Sequence, residues 1–182
     1  RVAFSLSGIV IDQFREWAPD VLASFQPLAN TGAVEFLSET YHHSLSFLYS
    51  DDEFAEQVAL HRQAIEELFG QTPRVFRNTE LVYSNHVAAR AAELGYAAVL
   101  CEGTDHLLGY RSPTYLYTPP NDIDIKLLLK NYRLADDIAF RFSNRHWVEW
   151  PLTASKFSQW VNAVNGNGHV VNLFMDYETL GE

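Results

Sequence analysis

Short apolar runs rich in β-branched and aromatic residues alternate along the chain with longer segments of helical periodicity. The runs predict five strands, at residues 2–6, 33–37, 74–78, 97–101 and 170–175. Continuous apolar runs of this length suit strands that are buried on both faces, and their alternation with helices is typical of a parallel sheet. The pattern therefore predicts an α/β fold with a parallel β core.

Two of the predicted helices have clear ends. Residues 51–69 repeat apolar side chains at helical spacing, and Gly70 and Pro73 follow, as is typical of a helix C-terminus. Residues 85–94 end at Gly95, directly before the strand 97–101. Together with the strand 74–78, this segment predicts a strand–helix–strand unit.

The rest of the chain has weaker signals. A Pro- and Tyr-rich segment, residues 111–121, predicts a loop. Further helices are predicted over residues 123–134 and from Thr153 to about Val164, and the Asn- and Gly-rich residues 165–168 predict a turn.

Composition narrows the class of partner. The chain has 182 residues, 47% hydrophobic and 20% charged, with 13 Lys and Arg against 23 Asp and Glu, a net charge of −10. This acidic balance argues against a nucleic-acid partner, because affinity for nucleic acid comes mainly from neutralising phosphates.

The single Cys101 excludes an intrachain disulfide and a Cys-based zinc site. No apolar run approaches the roughly 18 residues of a membrane span. We expect a soluble, cytoplasmic protein with no membrane partner and no cofactor.

Carboxylates follow several of the predicted strands. Because ligands of parallel α/β folds collect at the carboxyl ends of strands, these side chains are candidates for chemistry. The carboxylates concerned are Glu39, Glu80, Glu102, Asp105, Asp176 and Glu178. Any one of them alone is more often structural, but several at one edge suggest a metal, a cationic substrate or acid/base work on a sugar. The 14% aromatic content favours a sugar, although most individual rings in a protein belong to its core.

Several segments, in order along the chain, resemble the conserved blocks of glycoside hydrolase family 57. They are Gly32-Ala33-Val34-Glu35-Phe36, the segment from Pro73 to Tyr83, and the segment from Phe174 to Glu182. Residues 102–103, 111–117 and 132–143 are similar to the branch of α-amylase type. The resemblance implies retaining enzymes that act on α-glucans and a barrel of seven βα units. We therefore expect residues 1–182 to form part of an incomplete TIM-like (β/α)7 barrel, a single catalytic domain truncated at both ends.

The resemblance also implies roles for individual residues. Glu80 falls on the nucleophile of the family, Asp176 on its general acid/base, and Glu35 on a segment close to the glucan. In the retaining mode such carboxyls lie about 5–5.5 Å apart. Many members carry Trp where Arg77 stands, and the family's first and fifth blocks are expected before Arg1 and after Glu182.

Other polar and aromatic residues are candidates for substrate binding. Glu102 is expected either to touch substrate, to support Glu80 or to cap a helix, and the rings of Tyr115 and Tyr177 suit the face of a sugar. His42 and His43 are expected either to bind glucosyl hydroxyls or to pair with Glu39. Adjacent residues of a strand point to opposite faces, which together with the lack of a His-x-x-x-His motif counts against a metal-dependent deacetylase.

The expected substrate is an α-glucan or maltooligosaccharide, and the expected reaction is hydrolysis of α-1,4 bonds. Two alternatives stay open. A 4-α-glucanotransferase of the same family would use the same two carboxyls and differ in the acceptor. A non-catalytic glucan-binding protein, or an inactive fragment, would retain the residues without turnover.

Overall fold

The computed structural model describes residues 2–181. The elements, in chain order, are β1 (Val2–Phe4), α1 (Gly8–Trp17), α2 (Pro19–Asn30), β2 (Val34–Phe36), α3 (Asp51–Phe69), β3 (Val75–Arg77), α4 (Asn85–Glu93), β4 (Ala98–Glu102), α5 (Asp105–Leu108), β5 (Lys126–Lys130), α6 (Tyr132–Ala139) and α7 (Ala154–Asn162). Three short 3-10 helices, at Ser46–Leu48, Thr79–Leu81 and Tyr177–Leu180, complete the list.

The strands confirm the predicted α/β class. β1 pairs in parallel with β2, and β3 pairs in parallel with β4 with Val75 opposite Ala98. β5 follows β4 in the second sheet. Parallel neighbours need a crossover connection, and α4 provides it between β3 and β4, as predicted.

The chain divides into two compact units. The first runs to Leu100 and includes Thr118–Lys126, and the second consists of Cys101–Tyr117 and the residues from Leu127 onward.

The core of the first unit holds β2 against helices. Its buried members are Leu6, Ile11, Leu22, Phe25, Ala29, Phe36, Ile65 and Phe69. The rings of Phe36 and Phe69 stack with their centroids 4.0 Å apart and their planes 2° apart. Phe36 ends β2 and Phe69 ends α3, so the stack joins the ends of these two elements.

Local signals explain the bounds of α3. The Ser50 hydroxyl accepts a hydrogen bond from the Glu53 backbone N–H, which satisfies one of the free donors of the first turn. Gly70 closes the helix with φ 63°, a left-handed conformation that glycine adopts without a steric penalty. The helix therefore spans Asp51–Phe69, the range that the sequence predicts.

Two predictions are wrong in part. Residues 123–134 were predicted to be one helix, but they contain β5 and only the first three residues of α6. The segment 170–175 forms no strand. Its pairing with β5 is limited to a single parallel bridge between Asn172 and Lys130. Helices α1 and α2 have no counterpart among the predicted elements.

Gly103 allows a close approach of two strand ends in the second unit. A Cβ at this position would overlap the Lys130 carbonyl oxygen and meet the Pro113 ring. We expect Gly103→Ala to lower the free energy of unfolding by about 1–3 kcal/mol, since backbone must move to accept the methyl group. Chemical denaturation of the complete protein measures this, with Gly181→Ala as control because a Cβ there meets only ordinary contact. Equal stability of the two variants would refute the close approach.

Candidate active site

The backbone turns sharply after β3 and presents Glu80 to solvent. Glu80 has φ 55° and ψ 25°, and Leu81 has φ 55°. Left-handed backbone costs roughly 1–2 kcal/mol for each residue with a side chain, so surrounding contacts must hold it. The Leu81 N–H donates to the Asn78 carbonyl at 3.0 Å, and the Asn78 side-chain amide donates to the Val82 carbonyl at 3.0 Å. The Glu80 side chain is 74% exposed.

A second turn after β2 is tied to the first. The Thr79 hydroxyl donates to the Ser44 carbonyl at 2.8 Å, and the Ser44 N–H donates to the Thr40 hydroxyl at 2.9 Å. His43 lies in this turn with φ 52°. Because buried threonines join the two turns, His43 and Glu80 are brought together.

Glu39 is a buried carboxylate between these turns, only 1% exposed. Its Oε1 accepts from the Ser5 hydroxyl at 2.8 Å, and its Oε2 lies 3.3 Å from Nη1 of Arg77. A buried carboxylate keeps its charge only when a cation and hydrogen-bond donors replace water. Arg77, itself 9% exposed, and Ser5 supply them.

His61 contacts the backbone of Glu39. Its Nε2 lies 2.7 Å from the Leu6 carbonyl, which can only accept, so Nε2 carries the proton. Burial lowers the pKa of His61, which keeps the ring neutral. Nδ1 is then free to accept the Glu39 backbone N–H, 3.4 Å away.

His43 bridges the buried and the exposed carboxylate. Its Nδ1 lies 2.8 Å from Oε2 of Glu39, and its Nε2 lies 3.1 Å from Oε1 of Glu80. Arg77 Nη1 is 3.4 Å from the same Nδ1, but arginine only donates. The shorter contact to Glu39 therefore assigns a proton to Nδ1, and the Arg77 approach is not a hydrogen bond. Of the two roles expected for His43, the structure contains the pairing with Glu39.

The other predicted site residues of the first unit are exposed. Glu35 lies in the middle of β2, next in sequence to the buried Phe36. His42 contributes its backbone N–H to the Gln57 side chain, and its ring meets the edge of the Tyr41 ring at 5.1 Å.

Asp176, Tyr177 and Tyr115 belong to the second unit. Asp176 is exposed and precedes the 3-10 helix that begins at Tyr177, whose side chain is also exposed. The Tyr115 hydroxyl donates to the Asn167 side chain at 2.9 Å, and its ring meets His169 edge-on.

Glu102 ends β4 beside a lysine that the sequence analysis did not single out. Lys130 Nζ lies 3.5 Å from Oε2 of Glu102 and 3.8 Å from Oδ1 of Asp136, and its side chain is 15% exposed. Lys130 ends β5, which had been predicted as helix, so its place beside Glu102 could not be foreseen. The Glu102 Oε1 accepts the N–H of Gly103 at 3.1 Å, a contact with the following backbone.

The family profile named "Glycosyl hydrolase family 57" matches residues 1–182. The chain belongs to this family. Membership confirms the resemblance that the blocks around Glu35, Glu80 and Asp176 suggested.

The family 57 chain is similar to a protein of related sequence and to a protein of known structure. A Methanocaldococcus jannaschii protein, provisionally named an alpha-amylase, is 48% identical over 183 residues, covering 100% of this chain and 38% of that protein. The chain thus spans 38% of the length of this relative. The crystal structure of a 4-alpha-glucanotransferase from Thermococcus litoralis superposes with a TM-score of 0.69 at 16% identity, covering 100% of this chain and 32% of that one.

A similar fold occurs in a protein whose provisional name is not that of an amylase or a glucanotransferase. A protein of Mycobacterium smegmatis, provisionally named a polysaccharide deacetylase, superposes with a TM-score of 0.57 at 17% identity, covering 90% of this chain and 52% of that one. At such identities the likeness concerns the fold alone, so the chemistry must be argued from the residues of the site.

Cys101 is a free, buried thiol. Burial raises the pKa of the Cys101 thiol to about 12, so this cysteine stays protonated and is a poor nucleophile. Within residues 2–181, no cluster of three or more His, Cys, Asp or Glu side chains has the geometry of a metal site. No helix in that range combines the length and apolarity of a membrane span.

Proposed function

We propose that the protein containing this chain is a retaining glycoside hydrolase that acts on α-1,4 bonds of α-glucans. Family 57 membership over the whole chain and the 48% identity to an amylase-named protein support this class of activity. Glu80 is the proposed nucleophile and Asp176 the proposed general acid/base.

The observation that carries the proposal is the environment of the Glu80 side chain. The side chain is exposed, it stands on strained left-handed backbone, and a histidine anchored to buried charges holds one of its oxygens. Strained backbone persists where the surrounding structure over-determines it, which is common at active sites. An accessible carboxylate held in one orientation is suited to attack on an anomeric carbon.

The proposed reaction has two steps. In the first, a Glu80 oxygen bonds to the anomeric carbon as the glycosidic bond breaks, and Asp176 gives its proton to the departing oxygen. In the second, Asp176 takes a proton from water, the water oxygen bonds to the anomeric carbon, and the bond to Glu80 breaks. Two inversions retain the α configuration. Glu35, His42, Glu102, Tyr115 and Tyr177 are proposed to contact the glucan.

Asp176→Asn tests the acid/base role through the leaving group. With maltooligosaccharides, whose leaving alcohol needs a proton, we expect kcat/KM to fall by roughly 10²- to 10⁴-fold. With an aryl maltoside whose phenol leaves without protonation, kcat/KM should fall far less. Steady-state kinetics of the complete protein measure both, and the exposed loop residue Asp124 provides the control variant Asp124→Asn. Equal losses on the two substrates would exclude Asp176 as the acid.

Product analysis separates hydrolysis from transfer. Incubation with maltoheptaose should yield only shorter chains if water intercepts the glycosyl-enzyme, and longer chains as well if a sugar hydroxyl does. Longer products would make the protein a 4-α-glucanotransferase, the activity named for the T. litoralis enzyme. Binding without turnover of any glucan would leave the non-catalytic alternative.

A further inference from the structure

We propose that His43 is a positioning residue that selects which oxygen of Glu80 attacks. In this proposal Nε2–H of His43 holds Oε1, so that Oε2 bonds to the anomeric carbon. The proposal rests on the proposed function, because it takes Glu80 as the nucleophile.

The contact between His43 and Glu80 distinguishes the two carboxylate oxygens. Nε2 lies 3.1 Å from Oε1, and within residues 2–181 no other hydrogen bond to this carboxylate is found. Since the Glu80 side chain is 74% exposed, its three side-chain torsions would otherwise let either oxygen face the substrate.

The ring of His43 is itself placed by buried groups. Nδ1 donates to Oε2 of Glu39 at 2.8 Å, and Glu39 is held by the Ser5 hydroxyl and by Arg77. His61 accepts the Glu39 backbone N–H. The orientation of an exposed carboxylate is therefore set from the interior of the first unit, through Glu39 and His43.

Proton placement follows from the partners of each nitrogen. An ionised Glu80 accepts hydrogen bonds and donates none, so the contact at 3.1 Å places a proton on Nε2. The charged side chains that face the ring are Glu39, Glu80 and Arg77.

The same contact serves both steps of the proposed reaction. When Oε2 bonds to the anomeric carbon and the glycosidic bond breaks, Oε1 becomes the carbonyl oxygen of the ester and still accepts from Nε2–H. When water displaces Glu80, negative charge returns to the carboxylate, and a charge-assisted hydrogen bond stabilises it as a leaving group. No proton leaves His43 in either step.

A matched pair of variants tests the role of Nε2. The amide nitrogen of glutamine reaches the place of Nε2, and that of asparagine reaches the place of Nδ1. We expect His43→Asn to lower kcat on maltooligosaccharides by roughly 10- to 100-fold with a smaller change in KM, as loss of a hydrogen bond to a charged group predicts. His43→Gln should restore most of that loss.

The controls use an exposed histidine of the same unit. His86 lies 2.7 Å from Asp51 and is half exposed, so His86→Asn and His86→Gln should leave kcat unchanged. A second readout needs no substitution at position 43. In ¹⁵N spectra of the labelled protein, Nε2 of His43 should carry a proton, and an unprotonated Nε2 would overturn the proposal.

The outcomes separate this inference from the function on which it rests. If His43→Asn and His43→Gln lose kcat equally, or neither loses it, the positioning role is refuted while an inactive Glu80→Gln keeps the proposed function. If Glu80→Gln remains active, both fall.

Discussion

Glu80→Gln in the complete protein should abolish turnover of α-glucans, with kcat lowered by roughly 10⁴-fold or more, as for loss of a covalent nucleophile. The amide keeps the size of the side chain and an oxygen that can accept from His43, so folding should be unaffected. It cannot form the glycosyl ester, because a neutral amide is a far weaker nucleophile than a carboxylate. The control is Glu56→Gln on the exposed face of α3, which should retain full activity.

Chemical rescue tests the same role of Glu80 through the configuration of the product. In Glu80→Ala, azide can enter the vacated space and bond to the anomeric carbon of an aryl α-glucoside as the phenol leaves. One displacement inverts the configuration, so the product should be the β-glucosyl azide. Turnover of Glu80→Gln within tenfold of the native rate, or an α-azide product, would show that another group is the nucleophile.

Arg77→Leu should destabilise the protein by about 3 kcal/mol, because it leaves the Glu39 carboxylate buried without its guanidinium partner. Ser5 and His43 still donate to Glu39, which places the loss at the lower end of the range for a broken buried ion pair. Urea denaturation monitored by fluorescence measures the free energy of unfolding.

A second ion pair provides the matched control. Arg62 lies 3.2 Å from Glu66, but both side chains are about 40% exposed, so Arg62→Leu should cost less than about 1 kcal/mol. Adding Glu39→Gln to Arg77→Leu should recover part of the stability, since no buried charge then remains unbalanced. A double variant less stable than Arg77→Leu alone would contradict a charge-balance role for Arg77.

The predicted elements that the structure confirms are those with strong local signals. α3 has a Ser cap, a long helical period and a closing Gly70, and these act within the segment itself. The β3–α4–β4 unit likewise follows from an apolar run, a capped helix and a second apolar run. Such signals are readable without knowing what the segment packs against.

β5 was mispredicted because its signal is ambiguous without tertiary context. Lys-Leu-Leu-Leu-Lys is a run of strong helix formers, yet in the structure it is a strand with Leu127 and Leu129 buried. A short apolar run fits a buried strand as well as a helix, and the neighbouring strand decides between them. The 170–175 segment is the opposite case: its apolar residues predict a strand, but it pairs with β5 through one bridge only.

The sequence alone determined the family, the α/β class and the identity of the proposed catalytic carboxyls, because blocks of residues and local periodicity are carried in the order of the chain. Only the tertiary structure decided that His43 stands between a buried Glu39 and an exposed Glu80, and that Arg77 balances the buried charge. These groups are up to 41 positions apart, from Glu39 to Glu80. Burial and hydrogen-bond direction exist only once the chain has folded, so no spacing along the sequence could specify them.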